Sequence, residues 1–276
     1  MTCSPQSRRS LAHTAALLSA CALVAAMISS DPARARPPAD GLAETLNGSS
    51  GRPLPEIIGA RPKVRQMITI SSPSFASTSG TLKAWRRDAR AEWVLARRPV
   101  QVVLGYRGWV KAKARNQSTG TTPAGRFRLP YAFGNSPDPG AQLSYRHVDA
   151  GDWWPYEPRD AATYNVYQPH RAARTRWRAD YAERLASYGG QYGYALVVGF
   201  NLPSGVHYSK QRRQWVARNQ ADTTRGGGIF LHVRGDGLTA GCVAMSRRNM
   251  RWVVRWVRPG AQPRLVMGPH AYIVTL

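Results

Sequence analysis

A mainly β fold with a few short helices and one long irregular loop is what this 276-residue sequence predicts. Three observations carry that prediction. Short runs of apolar and β-branched residues recur between Gly, Ser, Pro and charged turns, which is the pattern of strands. Helical spacing is confined to two short stretches. Residues 130 to 175 carry prolines, glycines and the aromatic cluster Trp153, Trp154 and Tyr156 with no sustained period, and so long a stretch without regular structure is commonly a functional loop.

From the N-terminus, residues 1 to 35 read as an export signal. Arg8 and Arg9 form a basic region ahead of the apolar run Ala15 to Ile28, which is shorter than the ~20 residues a membrane span needs. Ala33-Arg34-Ala35 then supplies an A-x-A cleavage pattern. Ser7-Arg8-Arg9-Ser10-Leu11 has the form of a twin-arginine signal, a route read by a receptor. Leu18-Ser19-Ala20-Cys21 offers a competing lipoprotein route in which Cys21 is the anchor; the apolar run continues past Cys21, which favours cleavage after Ala35. Residues 36 to 55 are rich in Pro, Gly and Ser and read as a linker, so the globular domain is expected over 56 to 276.

Within that domain, Val64 to Ser71, Thr81 to Trp85, Glu92 to Leu95 and Val100 to Leu104 are expected strands. Thr122-Pro-Ala-Gly-Arg-Phe127 is a proline turn feeding another. Arg176 to Tyr188 reads as a helix with Trp177, Tyr181 and Leu185 on one face, ended by Gly189-Gly190. Tyr194 to Asn201 reads as a buried strand. Ser246 is placed to cap a second helix whose core stripe is Met250, Val253, Val254 and Val257, with Pro259-Gly260 as its stop. Arg264 to Gly268 and Tyr272 to Leu276 are expected to close the chain as strands.

With 43% hydrophobic residues and nine tryptophans, the chain has material for one sizeable core, which excludes a disordered polymer. Its 39 basic residues against 15 acidic ones give a formal net charge of +24, so its surface favours an anionic partner. Nucleic acid is the usual first candidate, but an export signal argues against it. The anionic polymers and peptide carboxylates of a bacterial wall fit that compartment, and cleavage of the signal would leave no stable membrane span.

Cys3 and Cys21 fall in the signal, so Cys242 is the sole cysteine of the exported chain and has no internal disulfide partner. One cysteine and scattered histidines lack the ligand spacing of a zinc site, and no metal or other cofactor is expected. Ile229 to Val233 reads as a strand with Phe230 and His232 on one face and Ile229, Leu231 and Val233 on the other. Gly235, Asp236 and Gly237 are turn formers, and Cys242 to Met245 reads as a returning strand. A hairpin about Gly237 would set His232 opposite Cys242, with Cβ atoms roughly 4.5–5.5 Å apart.

A thiol near its ordinary pKa of ~8.5 is mostly protonated at neutral pH. A neighbouring imidazole can take the proton and later give it to a leaving amine. Gly241 removes a side chain before the cysteine and leaves the backbone N–H groups of Gly241 and Cys242 as oxyanion donors. A lone cysteine is most often a small buried hydrophobe, and a lone histidine a satisfied polar residue. The shared hairpin, the glycine and the cysteine count together favour a catalytic pair.

The sequence from about residue 56 to 276 resembles the L,D-transpeptidase catalytic domain, also called YkuD-like. Thr122-Pro-Ala-Gly-Arg-Phe127 is similar to the family's TPxGxF stretch. Ile229-Phe-Leu-His232 followed by Thr239-Ala-Gly-Cys242-Val-Ala-Met245 is similar to its histidine and S/T-H-G-C motif. The resemblance implies a β-sandwich and a cysteine acyltransferase that works on peptidoglycan stem peptides. Cys242 would be the nucleophile, attacking the carbonyl of the third stem residue and releasing D-alanine, and His232 the general base. Thr239, Trp153 and Trp154 are expected to contact substrate. Three departures stand out: Ala240 replaces the family's second histidine, the loop between His232 and Cys242 is short, and Ala244 stands where the family has arginine or asparagine. These leave open whether an amine or water resolves the thioester, as an L,D-transpeptidase or an L,D-carboxypeptidase. The partner that orients His232 is open among Asp236, Thr239 and a backbone carbonyl. A non-catalytic, basic wall-binding domain is the reading from another class.

Overall fold

The computed structural model describes residues 51–171 and 175–276; the expected signal and most of the expected linker lie outside them. The elements begin with α1 (Leu54–Ile57), β1 (Gln66–Ser72), β2 (Ser79–Arg87), β3 (Trp93–Leu95), β4 (Val100–Val103), β5 (Trp109–Lys111) and β6 (Thr122–Arg128). There follow β7 (Ala132–Gly134), β8 (Tyr145–His147), β9 (Trp153–Pro155), β10 (Ala182–Arg184), β11 (Ala195–Val197), β12 (Ser204–Ser209) and β13 (Gln214–Asn219). The chain closes with β14 (Phe230–Val233), β15 (Val243–Met245), α2 (Arg247–Trp256), β16 (Arg264–Pro269) and α3 (His270–Ile273).

Twelve strands form one sheet in the order β5-β6-β16-β1-β2-β4-β15-β14-β11-β7-β8, with β3 paired to β2. β9 with β10, and β12 with β13, form separate two-stranded ribbons. Because successive side chains alternate between faces, Ile68, Ile70, Leu82, Val100, Val102, Leu265 and Met267 from one half of the sheet point the same way. They meet Leu196, Leu231, Val233, Val243 and Met245 from the other half in a single core. The fold is therefore mainly β with few short helices, and its two halves face each other across one core as a sandwich does. Helix α2 closes the core with Met250, Val253 and Val254, and the hydroxyl of Ser246 accepts the Asn249 N–H at its start, as expected.

Four expectations are corrected. Arg176 to Tyr188 is not a helix: Glu183 pairs with Trp154 in the β9–β10 ladder, and the rest is 3₁₀ turns broken at Gly189, so strand pairing overrides the helical spacing. Tyr272 to Leu276 is not a strand; Pro269, at φ −56° and ψ 141°, leads into α3, whose Ile273 packs with Leu54, Trp85 and Val266 in a second cluster. Residues 130 to 175 contain β7, β8 and β9, and the β12–β13 hairpin had no counterpart in the expected elements.

The fourth correction bears on the site. β14 and β15 are parallel neighbours, with Leu231 beside Val243, His232 beside Ala244 and Val233 beside Met245, and do not form a hairpin. The cause lies in the connecting segment. Thr239 donates its N–H to the Leu104 carbonyl at 3.0 Å and accepts the Tyr106 N–H at 2.9 Å. The segment is thereby pulled across the end of β4, and the chain re-enters the sheet running in its original direction. Among the described residues no helix is long and apolar enough to cross a membrane.

Candidate active site

Phe230 and His232 share the face of β14 that turns away from the main core, as the alternation predicts. Phe230 joins a third cluster with Phe133, Trp154, Leu185, Tyr192, Ala195 and Val197, and Cys242 packs at its edge. Extending the parallel register by one step sets Cys242 beside Phe230, so thiol and imidazole lie on the same face but one alternate position apart.

Cys242 is held from both sides. Its Sγ accepts the Phe230 N–H at 3.4 Å and donates to the Gly228 carbonyl at 3.3 Å. Gly228 is fixed in turn: its N–H donates to Asn165 Oδ1 at 2.9 Å, and the same oxygen accepts the Trp154 indole N–H at 2.8 Å. Thr239 staples the preceding turn, its hydroxyl donating to the Cys242 carbonyl at 2.6 Å and accepting the Gly241 N–H at 3.2 Å. Gly241 has φ +142°, and a Cβ there would stand 2.8 Å from the Thr121 carbonyl and 3.0 Å from Nη2 of Arg115, so only glycine fits this turn.

His232 is buried, and its Nδ1 lies 2.8 Å from the Val233 carbonyl. A carbonyl only accepts, so Nδ1 carries the proton in the neutral ring. A backbone carbonyl, rather than Asp236 or Thr239, therefore orients the ring. Burial holds the His232 pKa below its ordinary value, against the opposing pull of the Val233 and Gln191 carbonyls. The ring of Tyr192 meets the imidazole edge to face, with centroids 5.4 Å apart. His207 sits on the separate β12–β13 ribbon.

Three residues that the sequence does not single out complete the surroundings. The Tyr192 hydroxyl donates to Glu183 Oε2 at 2.6 Å, and Glu183 Oε1 stands 3.6 Å from where a Cβ on Gly228 would lie. Arg115, 4% exposed, donates from Nε to the Thr121 carbonyl and from Nη1 to the Arg225 carbonyl, and lies across the Phe200 ring with Nη2 turned to Gly241. Burial, and then the Glu183 charge, push the Cys242 thiol up to about 12, with the Phe230 N–H and Arg115 opposing. Burial also pushes the Glu183 carboxyl up to about 7, with the Tyr192 hydrogen bond opposing. A signal for Glu183 was present: it is the only acidic residue between Asp180 and Asp222.

The aromatic pair is divided. Trp154 is 1% exposed and lies under Phe230, while the part-buried Trp153 packs on Trp177 with centroids 5.6 Å apart. Among the described residues no group of three or more His, Cys, Asp or Glu side chains is placed to hold a metal ion.

Comparison with known proteins adds the family. No match is found among the curated proteins. Among solved structures the chain is similar to the helical cell shape determining protein Pgp2 from Campylobacter jejuni, at 12% identity over 78% of this chain and 54% of that one, with a TM-score of 0.35. The chain thus spans about half the length of that protein. Residues 81–266 match the L,D-transpeptidase catalytic domain, YkuD. Because that match takes in Thr122 to Phe127, His232 and Cys242 alike, the chain belongs to the L,D-transpeptidase catalytic domain family.

Proposed function

We propose that this protein is an exported cysteine acyltransferase that cross-links or modifies peptidoglycan stem peptides. The observation that supports it most is the placement of the sole described cysteine and a buried, oriented histidine on one face of adjacent strands, inside the matched domain. Rotation of the Cys242 side chain to another staggered well swings Sγ from the Gly228 carbonyl toward His232 Nε2. The imidazole takes the thiol proton, the thiolate attacks the peptide carbonyl, and the new oxyanion faces the N–H groups of Cys242 and Gly241. The Gly241 N–H is released from Thr239 at that point. The C–N bond then breaks, His232 returns the proton to the departing D-alanine amine, and a thioester on Cys242 remains. A side-chain amine of another stem resolves it. On this reading residues 1 to 35 are removed during export, the +22 charge of the remaining chain retains anionic wall strands, and lipidation of Cys21 is the competing outcome in the mature N-terminal mass.

The raised thiol favours a second reading, in which Cys242 and His232 are packed and the domain binds wall polymers through its arginines. One experiment separates them. Residues 36 to 276 are incubated with disaccharide-tetrapeptides and the products followed by mass spectrometry. Cross-linked dimers support the transferase, and tripeptide with free D-alanine and no dimer supports the carboxypeptidase. No product with Cys242 reduced supports the binding domain. Cys242→Ser abolishes turnover, and His232→Gln lowers acylation on the order of 10²–10⁴-fold, the usual worth of a positioned base.

A further inference from the structure

Glu183 is out of character for this chain. The residue is half-buried, with its carboxyl on the inner side against Tyr192 and Gly228. The protein carries 39 arginines and lysines, yet among the described residues none forms an ion pair with Glu183; the three ion pairs there join Arg52 to Glu56, Arg178 to Glu157 and Arg212 to Asp160. Its neighbour Arg184 points elsewhere and donates to the Ala150 carbonyl. The groups that face the carboxyl are Tyr192, which hydrogen-bonds to it, Tyr156 and Tyr188, whose ionisation its charge opposes, and the Cys242 thiol. Trp154 supplies an apolar wall, its Cδ1 3.7 Å from the same point above Gly228 that Glu183 Oε1 approaches. Arg115 lies on the Gly241 side of the turn and is held there by two carbonyls.

A carboxylate in low dielectric is costly unless a cation meets it. Among the described residues none forms an ion pair with it, and the position adjoins the proposed nucleophile. We infer that Glu183 is the binding and deprotonating group for a primary ammonium that attacks the acyl group on Cys242. This rests on the acyltransferase reading above and deepens it by assigning the acceptor side of that site. The carboxylate attracts R–NH₃⁺ and takes one proton, which passes on to solvent. The resulting amine attacks the thioester carbonyl, a C–N bond forms and the C–S bond breaks. A second proton from the nitrogen reaches the departing sulfur through His232, and the third stays on the amide product. Water carries no charge for Glu183 to bind, so the same group biases the thioester toward transfer. The carboxyl titrates near neutrality, with burial the main cause, so the bias strengthens as pH rises through about 7.

The test uses the purified protein and its Glu183→Gln variant, in which the amide oxygen still accepts from Tyr192. Both are given disaccharide-tetrapeptides as donor and acceptor; the Cys242 thioester, cross-linked dimer and hydrolysed tripeptide are each quantified from pH 5.5 to 8.5. The expected result is thioester formation at least as fast in the variant, because the charge opposing the thiolate is gone. Its dimer-to-tripeptide ratio falls at least tenfold and no longer rises through pH 7. Thermal melts at each pH confirm that the variant is folded. A variant that forms the thioester and partitions as the wild type does, with the same pH profile, overturns the assignment alone. A wild type that never forms the thioester overturns the acyltransferase reading and this assignment with it.

Discussion

The Cys242 sulfur and the Gly228 carbonyl oxygen lie 3.3 Å apart, with the thiol donating. A thiol used as a donor is held in its protonated form, and burial and the Glu183 charge act in the same direction. This arrangement predicts a slow-reacting cysteine in the free protein. Alkylation by iodoacetamide at pH 7, read by mass spectrometry, is expected to be at least tenfold slower than for an unstructured cysteine peptide, and to keep rising above pH 9 where the peptide's rate levels off. A plateau below pH 8 would show a thiolate already formed at rest.

Gly241→Ala tests the turn that presents the cysteine. At φ +142° a Cβ meets the Thr121 carbonyl at 2.8 Å, and that carbonyl is itself tied to Arg115 Nε at 2.9 Å. The backbone must shift or the alanine must be strained, at a cost of about 1–3 kcal/mol. Urea unfolding is expected to show this loss with an unchanged slope. A midpoint equal to the wild type's would mean that the turn relaxes freely.

Glu183 also links stability to pH. Its folded pKa of about 7 lies above the ordinary carboxyl value of 4.5, so the folded state binds the proton more tightly than the unfolded one. Stability is then fully retained below the unfolded pKa and falls as pH rises from about 4.5 through about 7. The shift corresponds to about 3 kcal/mol at most, and to about 1–2 kcal/mol once solvent screening of a part-exposed residue is allowed for. Glu183→Gln should melt higher than the wild type at pH 8, with the gain vanishing near pH 4.5. An equal gain at both pH values would exclude ionisation as its source.

Much of this was legible in the sequence because the information is local. The alternation at Ile229 to Val233 gives the faces, Ser246 gives the start of α2, and the glycine-cysteine step marks the candidate nucleophile. Strand direction was not legible. The apolar pattern of β15 is the same whichever way it runs, and the parallel pairing depends on Thr239 meeting Leu104 and Tyr106, residues far away in the chain. The placement of Glu183 was hidden for a related reason. Its neighbours have helical spacing, and only its pairing with Trp154 makes the segment a strand and turns the carboxyl toward the cysteine. Arg115 reaches Gly241 only through the packing of segments well separated in sequence.

The crossover from β14 to β15 has a consequence for how such proteins can diverge. Sheet hydrogen bonds to β11 and β4 hold the two strands on their outer edges, and Thr239 is pinned to the end of β4, so the alignment of His232 with Cys242 does not depend on the segment near Gly237. A Cβ on Gly237 would meet nothing within 4 Å. Lengthening the chain there costs little, about 0.6 kcal/mol for each doubling of a flexible loop. Insertions at this point are thus a route by which a longer rim can be acquired, or a foreign segment grafted, while His232 and Cys242 stay in register.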